Sequence, residues 1–143
     1  MTNLSYAEAE ANPAEFFNAE RLGALAHAMG IQITEFTRDQ IVATMPVTGN
    51  TQTFGIMHGG AYVVLGESLG SLHANLMAPE GKIGVGIDVN ATHTGAAADG
   101  QVTGVCRPIH LGSSLSVHEI AITNEDGRRC STIRITNLYR PSN

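Results

Sequence analysis

No stretch of this 143-residue chain approaches the roughly 18 consecutive apolar residues that a membrane helix requires. The start is not basic either. Glu8, Glu10, Glu15 and Glu20 precede the first cation, Arg21, whereas a secretory signal needs a positive end and an apolar middle. The expected location is the cytoplasm, with no membrane partner. Cysteine is scarce. Cys106 and Cys130 are the only two and form no CxxC pair, so both are expected as buried thiols. Positive charge is in deficit, the net charge being −5. That argues against a nucleic-acid partner, which would need a basic face. A small anionic ligand is still compatible, because a few local donors suffice to hold one. The six histidines show neither HxH nor HExxH spacing, so no metal and no cofactor is expected. A serine hydrolase is not expected, because no Asp or His accompanies Ser68 in sequence.

What is present fits one domain with a core of ordinary size: 43% of residues are hydrophobic. Residues 1–18 read as a loosely helical or mobile lead-in, interrupted at Asn12-Pro13, and residues 19–143 as a single domain. Leu22, Leu25, Ala26 and Met29 recur at helical spacing before a stop at Gly30. Alternating apolar residues predict a hairpin of 31–37 with 40–47, turning at Arg38-Asp39. Ala61, Val64, Leu65, Ser68, Leu69, Leu72 and Leu76 then predict a helix of about five turns. Small or apolar residues occupy nearly every face of it, so it is expected to be buried. Four strand-length runs follow, at 82–94, 100–110, 113–123 and 128–139, with Asp126-Gly127 as a hairpin signal between the last two. The reading is an α+β fold in which a curled antiparallel sheet wraps a central helix.

Within that helix Glu67 is the only residue between Gly59 and Ala78 with a formal charge at neutral pH. A carboxylate in a buried helix is costly unless it is paired or used. It is therefore either structural, or turned to solvent, or a general base or nucleophile in a partly dry site. Gly59 and Gly60 stand at the helix start, where N–H groups lack partners and carry partial positive charge. A ligand oxygen could approach these residues closely, as in an oxyanion hole, although such glycines also serve as plain caps or turns. His58 beside them reads equally as a hydrogen-bonded structural residue. Gly59 and Glu67 are roughly 12 Å apart along a helix, so both cannot touch one acyl carbon. If both act on one substrate, they come from two antiparallel copies related by a two-fold axis. Ser71 lies one turn beyond Glu67, where it would hold the carboxylate or the attacking water, or simply pack. Gly66 and Gly70 each cost about 1 kcal/mol inside a helix relative to Ala, which points to close approach by a strand, a helix or a ligand.

The run Gln52, Phe54-Gly55, His58-Gly59-Gly60, Leu65, Glu67-Ser68 and Gly70-Ser71 closely resembles the active-site segment of hotdog-fold thioesterases. The nearest branch contains phenylacetate-pathway, 4-hydroxybenzoyl-CoA and 1,4-dihydroxy-2-naphthoyl-CoA thioesterases. The resemblance continues through GVGIDVNATHT (84–94), GVCRPIHLGSS (104–114) and Asp126-Gly127-Arg128 with Cys130, so it covers about residues 31–139.

The resemblance implies a hotdog fold and hydrolysis of an acyl-CoA, with an aryl group as the expected acyl part. Glu67 takes the place of the catalytic carboxylate, as nucleophile or as base for water. Gly59 takes that of the backbone donor to the thioester carbonyl. Gln52 and His58 take those of polar groups near that carbonyl, and Ser71 that of a partner to Glu67 or its water. Gly86, His93-Thr94-Gly95-Ala96 and His110-Leu111-Gly112-Ser113-Ser114-Leu115 match stretches lining the CoA channel. A homodimer or a dimer of dimers is implied. Some relatives carry a cation in the turn after His93. Here Gly95 and Ala96 stand there, so phosphate binding would fall to backbone N–H groups, to Arg107 or to another cation. Tyr62, Phe54, Met57 and Leu76 are candidates to line an acyl pocket. The competing reading is a module that binds acyl-CoA without cleaving it, which the joint presence of Gln52, His58, Gly59, Glu67 and Ser71 disfavours. A hotdog dehydratase would pair His with an acid in a different local motif.

Overall fold

The computed structural model describes residues 6–143. Four short helices lead in: α1 (Tyr6–Ala11), α2 (Pro13–Phe16), α3 (Ala19–Leu22) and α4 (Ala24–Ala28). The hairpin β1 (Gln32–Phe36) and β2 (Ile41–Pro46) follows, then the long helix α5 (Gly59–Leu76). Four strands complete the chain: β3 (Lys82–His93), β4 (Gln101–Leu111), β5 (Leu115–Thr123) and β6 (Arg129–Pro141). The sheet order is β1-β2-β4-β5-β6-β3, with every neighbouring pair antiparallel. Strands β1 and β3 are therefore its two edges.

Strand positions alternate between faces, as side chains two apart must. Ile41, Ala43 and Met45 on β2, Ile120 and Ile122 on β5, and Ile133 and Ile135 on β6 all point inward and are buried. Helix α5 lies against this inner face through Ala61, Tyr62, Leu65, Gly66, Leu69, Gly70, His73 and Ala74. Its glycines have a steric cause. A Cβ at Gly66 would come within 2.7 Å of Ile133 Cδ1, and one at Gly70 would overlap Ile135. Strand β6 is the element that approaches so closely, and the helix could not seat on it with alanines there.

Part of the lead-in is packed. Asn12 interrupts it and caps α2, accepting the Glu15 N–H at 3.4 Å. Phe16 and Phe17 are buried, and the Tyr6 ring meets Phe36 edge-on at 5.4 Å. The helix expected around Leu22 to Met29 is in fact two, because Gly23 takes φ +85° between α3 and α4. That turn leaves Leu25, expected on the apolar stripe, 63% exposed. At Asp126-Gly127 the chain turns as expected: Gly127 donates to the Asn124 carbonyl at 3.0 Å.

Candidate active site

At the start of α5, His58 is the N-cap and its Nδ1 accepts the Gly60 N–H at 2.8 Å. The Ala61 N–H goes to the His58 carbonyl at 2.9 Å. The Gly59 N–H has no partner among the described residues, as a donor reserved for a ligand oxygen requires. His93, at the end of β3, lies against this backbone: a Cβ on Gly59 would stand 2.8 Å from its ring. The ring is held by Ser131 Oγ at 2.9 Å from Nδ1 and by Tyr62, whose ring centroid is 5.4 Å away. The Tyr62 hydroxyl donates to the Gly95 carbonyl at 3.5 Å. Burial first, and Cys130 second, push that phenol well above its ordinary range, so it remains a donor. Gln52 turns back into its own loop, its Oε1 accepting the Phe54 N–H.

Two turns further along, Glu67 and Ser71 lie one turn apart on a flank of α5 that the sheet only partly covers, Glu67 exposed and Ser71 half-buried. The helix is thus not buried all round as expected. Glu67 is exposed in the single chain, because the sheet covers only one face of α5. Its carboxylate lies over strand β3, where a Cβ at Gly86 would stand 3.7 Å from Glu67 Oε1. Ser71 Oγ donates across to Asn137 Oδ1 on β6 at 3.4 Å. Asn75 fastens β3 to the helix: it accepts the Gly84 N–H at 2.9 Å and donates to the Gly84 and Ser71 carbonyls at 3.1 and 2.9 Å. That clamp ties β3 at Gly84 to the last turns of α5.

The expected residues therefore form two groups. His58, Gly59 and the turn His93-Thr94-Gly95-Ala96 meet at one end of α5. Glu67, Ser71 and Gly86 meet at and beyond its midpoint, and the hairpin His110-Leu111-Gly112-Ser113-Ser114-Leu115 lies toward the same end of β6, where Leu115 pairs with Leu138 one residue past the Gly86 partner Asn137. Along β6 the partner of His93 is Ser131 and the partner of Leu115 is Leu138, which puts the two proposed CoA-lining stretches about 23 Å apart in one chain.

Several finer expectations are corrected. The Thr94 and Gly95 N–H groups both donate to the Cys130 carbonyl, at 2.9 and 3.2 Å, and are not available to a phosphate. Arg107 pairs in register with Glu119 on the outward face of the sheet, away from α5. Tyr62 and Met57 are core residues and Phe54 stands 88% exposed, so the first two do not line an open acyl pocket. Gly66-Glu67-Ser68-Leu69-Gly70 does carry the G-x-S-x-G spacing of a nucleophile elbow. It lies inside an unbroken 18-residue helix rather than at a strand-to-helix turn, so Ser68 is not presented as an elbow nucleophile.

The thioesterase superfamily model matches residues 54–131, more than half the chain. A proofreading thioesterase EntH of Cronobacter turicensis is 44% identical over 123 residues, 85% of this chain and 90% of that protein. The chain belongs to the thioesterase superfamily. It is a thioester hydrolase with the hotdog fold. A 1,4-dihydroxy-2-naphthoyl-CoA hydrolase of Escherichia coli K12 is 42% identical, again over 85% of this chain and 90% of the relative. A crystal structure of a thioesterase from Haemophilus influenzae superposes with a TM-score of 0.82 at 36% identity, covering 92% of this chain and 90% of that one. Among the described residues of this thioesterase no group of His, Cys, Asp and Glu could hold a metal ion, and no helix is long and apolar enough to cross a membrane.

Sequence reasoning missed Asn75, Asn137 and the approach of His93 to Gly59. Asn137 had a readable signal: it follows Ile133 and Ile135 at a period of two, on the apolar face of a strand. The contact of His93 with Gly59 had none, because it depends on the register of β3 against α5.

Proposed function

We propose that this thioesterase hydrolyses an aryl-CoA to the free acid and CoA, at sites each assembled from two copies of the chain. Glu67 acts as nucleophile or as general base, and the Gly59 N–H of the other copy polarises the carbonyl. The observation that carries this reading is the division of the site residues. An unpaired donor at Gly59 and a carboxylate at Glu67 sit about 12 Å apart on one helix, too far for one acyl carbon. They lie beside edge strand β3, whose outer edge is unpaired and whose Val85 and Ile87 are 38% and 55% exposed. An exposed apolar edge is a ready partner for another strand. Two β3 edges paired about a two-fold axis would lay the α5 helices antiparallel. Each Gly59 group would then face the partner's Glu67 group, and water would be excluded from the carboxylate. The assembly is a dimer, or a dimer of such dimers. The two CoA-lining stretches, far apart in one chain, would be joined by the same operation.

The aryl preference is supported by the name of the Escherichia coli relative. A hydrolysis screen tests it, comparing hydroxybenzoyl-CoA and dihydroxynaphthoyl-CoA with hexanoyl-CoA by release of the free thiol. Cys106 and Cys130 are both buried, so the protein adds little to that signal. A higher kcat/KM for the aryl esters is expected. A preference for hexanoyl-CoA would overturn the acyl assignment, and hydrolysis of none of them would overturn the activity.

A further inference from the structure

We propose that Asn137 is a positioning residue: from β6 it fixes the hydroxyl of Ser71 so that a lone pair faces the water beside Glu67. The inference rests on the roles of Glu67 and Ser71 given above. Asn137 is fully buried, next to Gly86 on β3 and Ser116 on β5 in register. A Cβ at Gly86 would stand 3.7 Å from both Asn137 Oδ1 and Glu67 Oε1. The amide oxygen and the carboxylate therefore border one small gap, left open by the absence of a side chain on Gly86.

The fold has little reason to place an amide there. Among the described residues Asn137 Nδ2 is buried without a partner, and so is Ser116 Oγ beside it. An unmade buried hydrogen bond costs about 1–3 kcal/mol, and asparagine is a poor strand former. A leucine continuing the row of Ile133 and Ile135 would avoid both costs. What the amide supplies is one acceptor, used by Ser71 at 3.4 Å. A serine inside a helix usually bonds back to the carbonyl four residues earlier or turns to solvent; here it reaches across to the sheet instead. A hydroxyl has one hydrogen and two lone pairs. With its hydrogen committed to Asn137, Ser71 can only accept. A water between Ser71 and Glu67 then gives one hydrogen to Ser71 and the other to the carboxylate, and its own lone pair is left for the acyl carbon. As the C–O bond forms and the C–S bond breaks, one water proton passes through Glu67 to the leaving thiolate. The other stays with the product acid.

The test is a cycle of Asn137→Leu, Ser71→Ala and the double variant, measured on the whole homo-oligomer with hydroxybenzoyl-CoA. Asn137→Leu should lower kcat about tenfold or more, as a misplaced reactant does, with KM near wild type. The melting temperature should hold or rise, since the unmade hydrogen bond of Asn137 Nδ2 disappears and the half-buried Ser71 hydroxyl can turn to water; a purely structural role would lower it. Ser71→Ala should cost a similar factor, and the double variant should be no slower than the worse single one, because both act through one hydroxyl. If Asn137→Leu does not fold, Asn137→Ala takes its place in the same cycle. Wild-type kcat in the Asn137 variant beside an impaired Ser71→Ala overturns the inference alone, as do losses that multiply. Wild-type kcat in Ser71→Ala overturns it together with the role given to Ser71, and an active Glu67→Gln removes the reading of the whole site.

Discussion

Helix α5, divided at its midpoint residue Glu67 with that residue counted in the second half, has two halves that are built differently. The first half is finished within one chain: His58 caps it, His93 and Tyr62 pack around the Gly59 backbone, and one N–H is left without a partner. The second half is open on one side and polar on the other. Glu67 is exposed, while Ser71, His73 and Asn75 reach into the sheet for Asn137, His118 and Gly84. A donor that must keep a fixed direction is best held by a rigid frame. In the proposed assembly, a carboxylate that must meet substrate would be enclosed by the incoming molecule and the second copy. The contrast fits the proposed division, with electrostatic polarisation in one half and proton or acyl transfer in the other.

The sharpest way to break this division is at Glu67. Glu67→Gln keeps the shape and removes the charge, so turnover should fall about 10²-fold or more, as for loss of a general base or nucleophile. Acyl-CoA binding should be largely kept, which equilibrium titration with the inactive variant would show. Near-normal turnover would make Glu67 a surface residue and leave the second half without chemistry.

A smaller effect tests whether the halves cooperate across copies. Glu67→Ala and Gly59→Pro should each be nearly inactive. Proline is tolerated at the first helical position, but its ring would press on the His93 ring, so the folding of this variant is checked first. Mixed and exchanged, about half the dimers are hybrids, each with one intact site of two, so activity should return to roughly a quarter of wild type. Proven exchange with no recovery would put donor and carboxylate in the same chain.

How much of this was legible in the sequence follows from what periodicity can carry. The apolar residues from Ala61 to Leu76 gave α5 to within two residues, alternation gave the first hairpin, and strand-length runs gave the other four strands. That Gly59 and Glu67 of one chain are too far apart to share an acyl carbon followed from helix rise alone. The resemblance supplied the roles, which spacing could not. What escaped was set by cross-element register: whether the uncovered side of α5 carries Glu67, that Cys130 occupies the Thr94 and Gly95 donors, and that Asn137 faces Ser71. The Gly23 break was also missed, since glycine inside a helical pattern is ambiguous until its φ is known.

The smallest predicted effect separates the halves by stability. The first half seats on apolar side chains, whereas in the second His73 Nδ1 meets His118 Nε2 at 2.9 Å and His73 Nε2 meets the Thr37 carbonyl at 3.0 Å, both rings being buried. Burial, and then His73, lower His118 from 6.5 to about 4. Burial also lowers His73, against the opposing pull of the Thr37 and Arg38 backbone and of Asp39. Both are held neutral in the fold and titrate normally once unfolded, so the unfolded chain binds more protons between these values. The stability that the neutral His118 contributes is complete above about pH 6.5 and falls as the pH drops toward 4, by about 1.4 kcal/mol per pH unit, and the lowered His73 adds to the same decline. His118→Gln keeps a polar partner for His73 but removes one titration. Urea unfolding between pH 7.5 and 4.5 should therefore show a shallower acid decline for the variant than for wild type, by up to that slope. Parallel curves would mean that His118 does not stay neutral in the fold, and the second half of α5 would not be the acid-sensitive one.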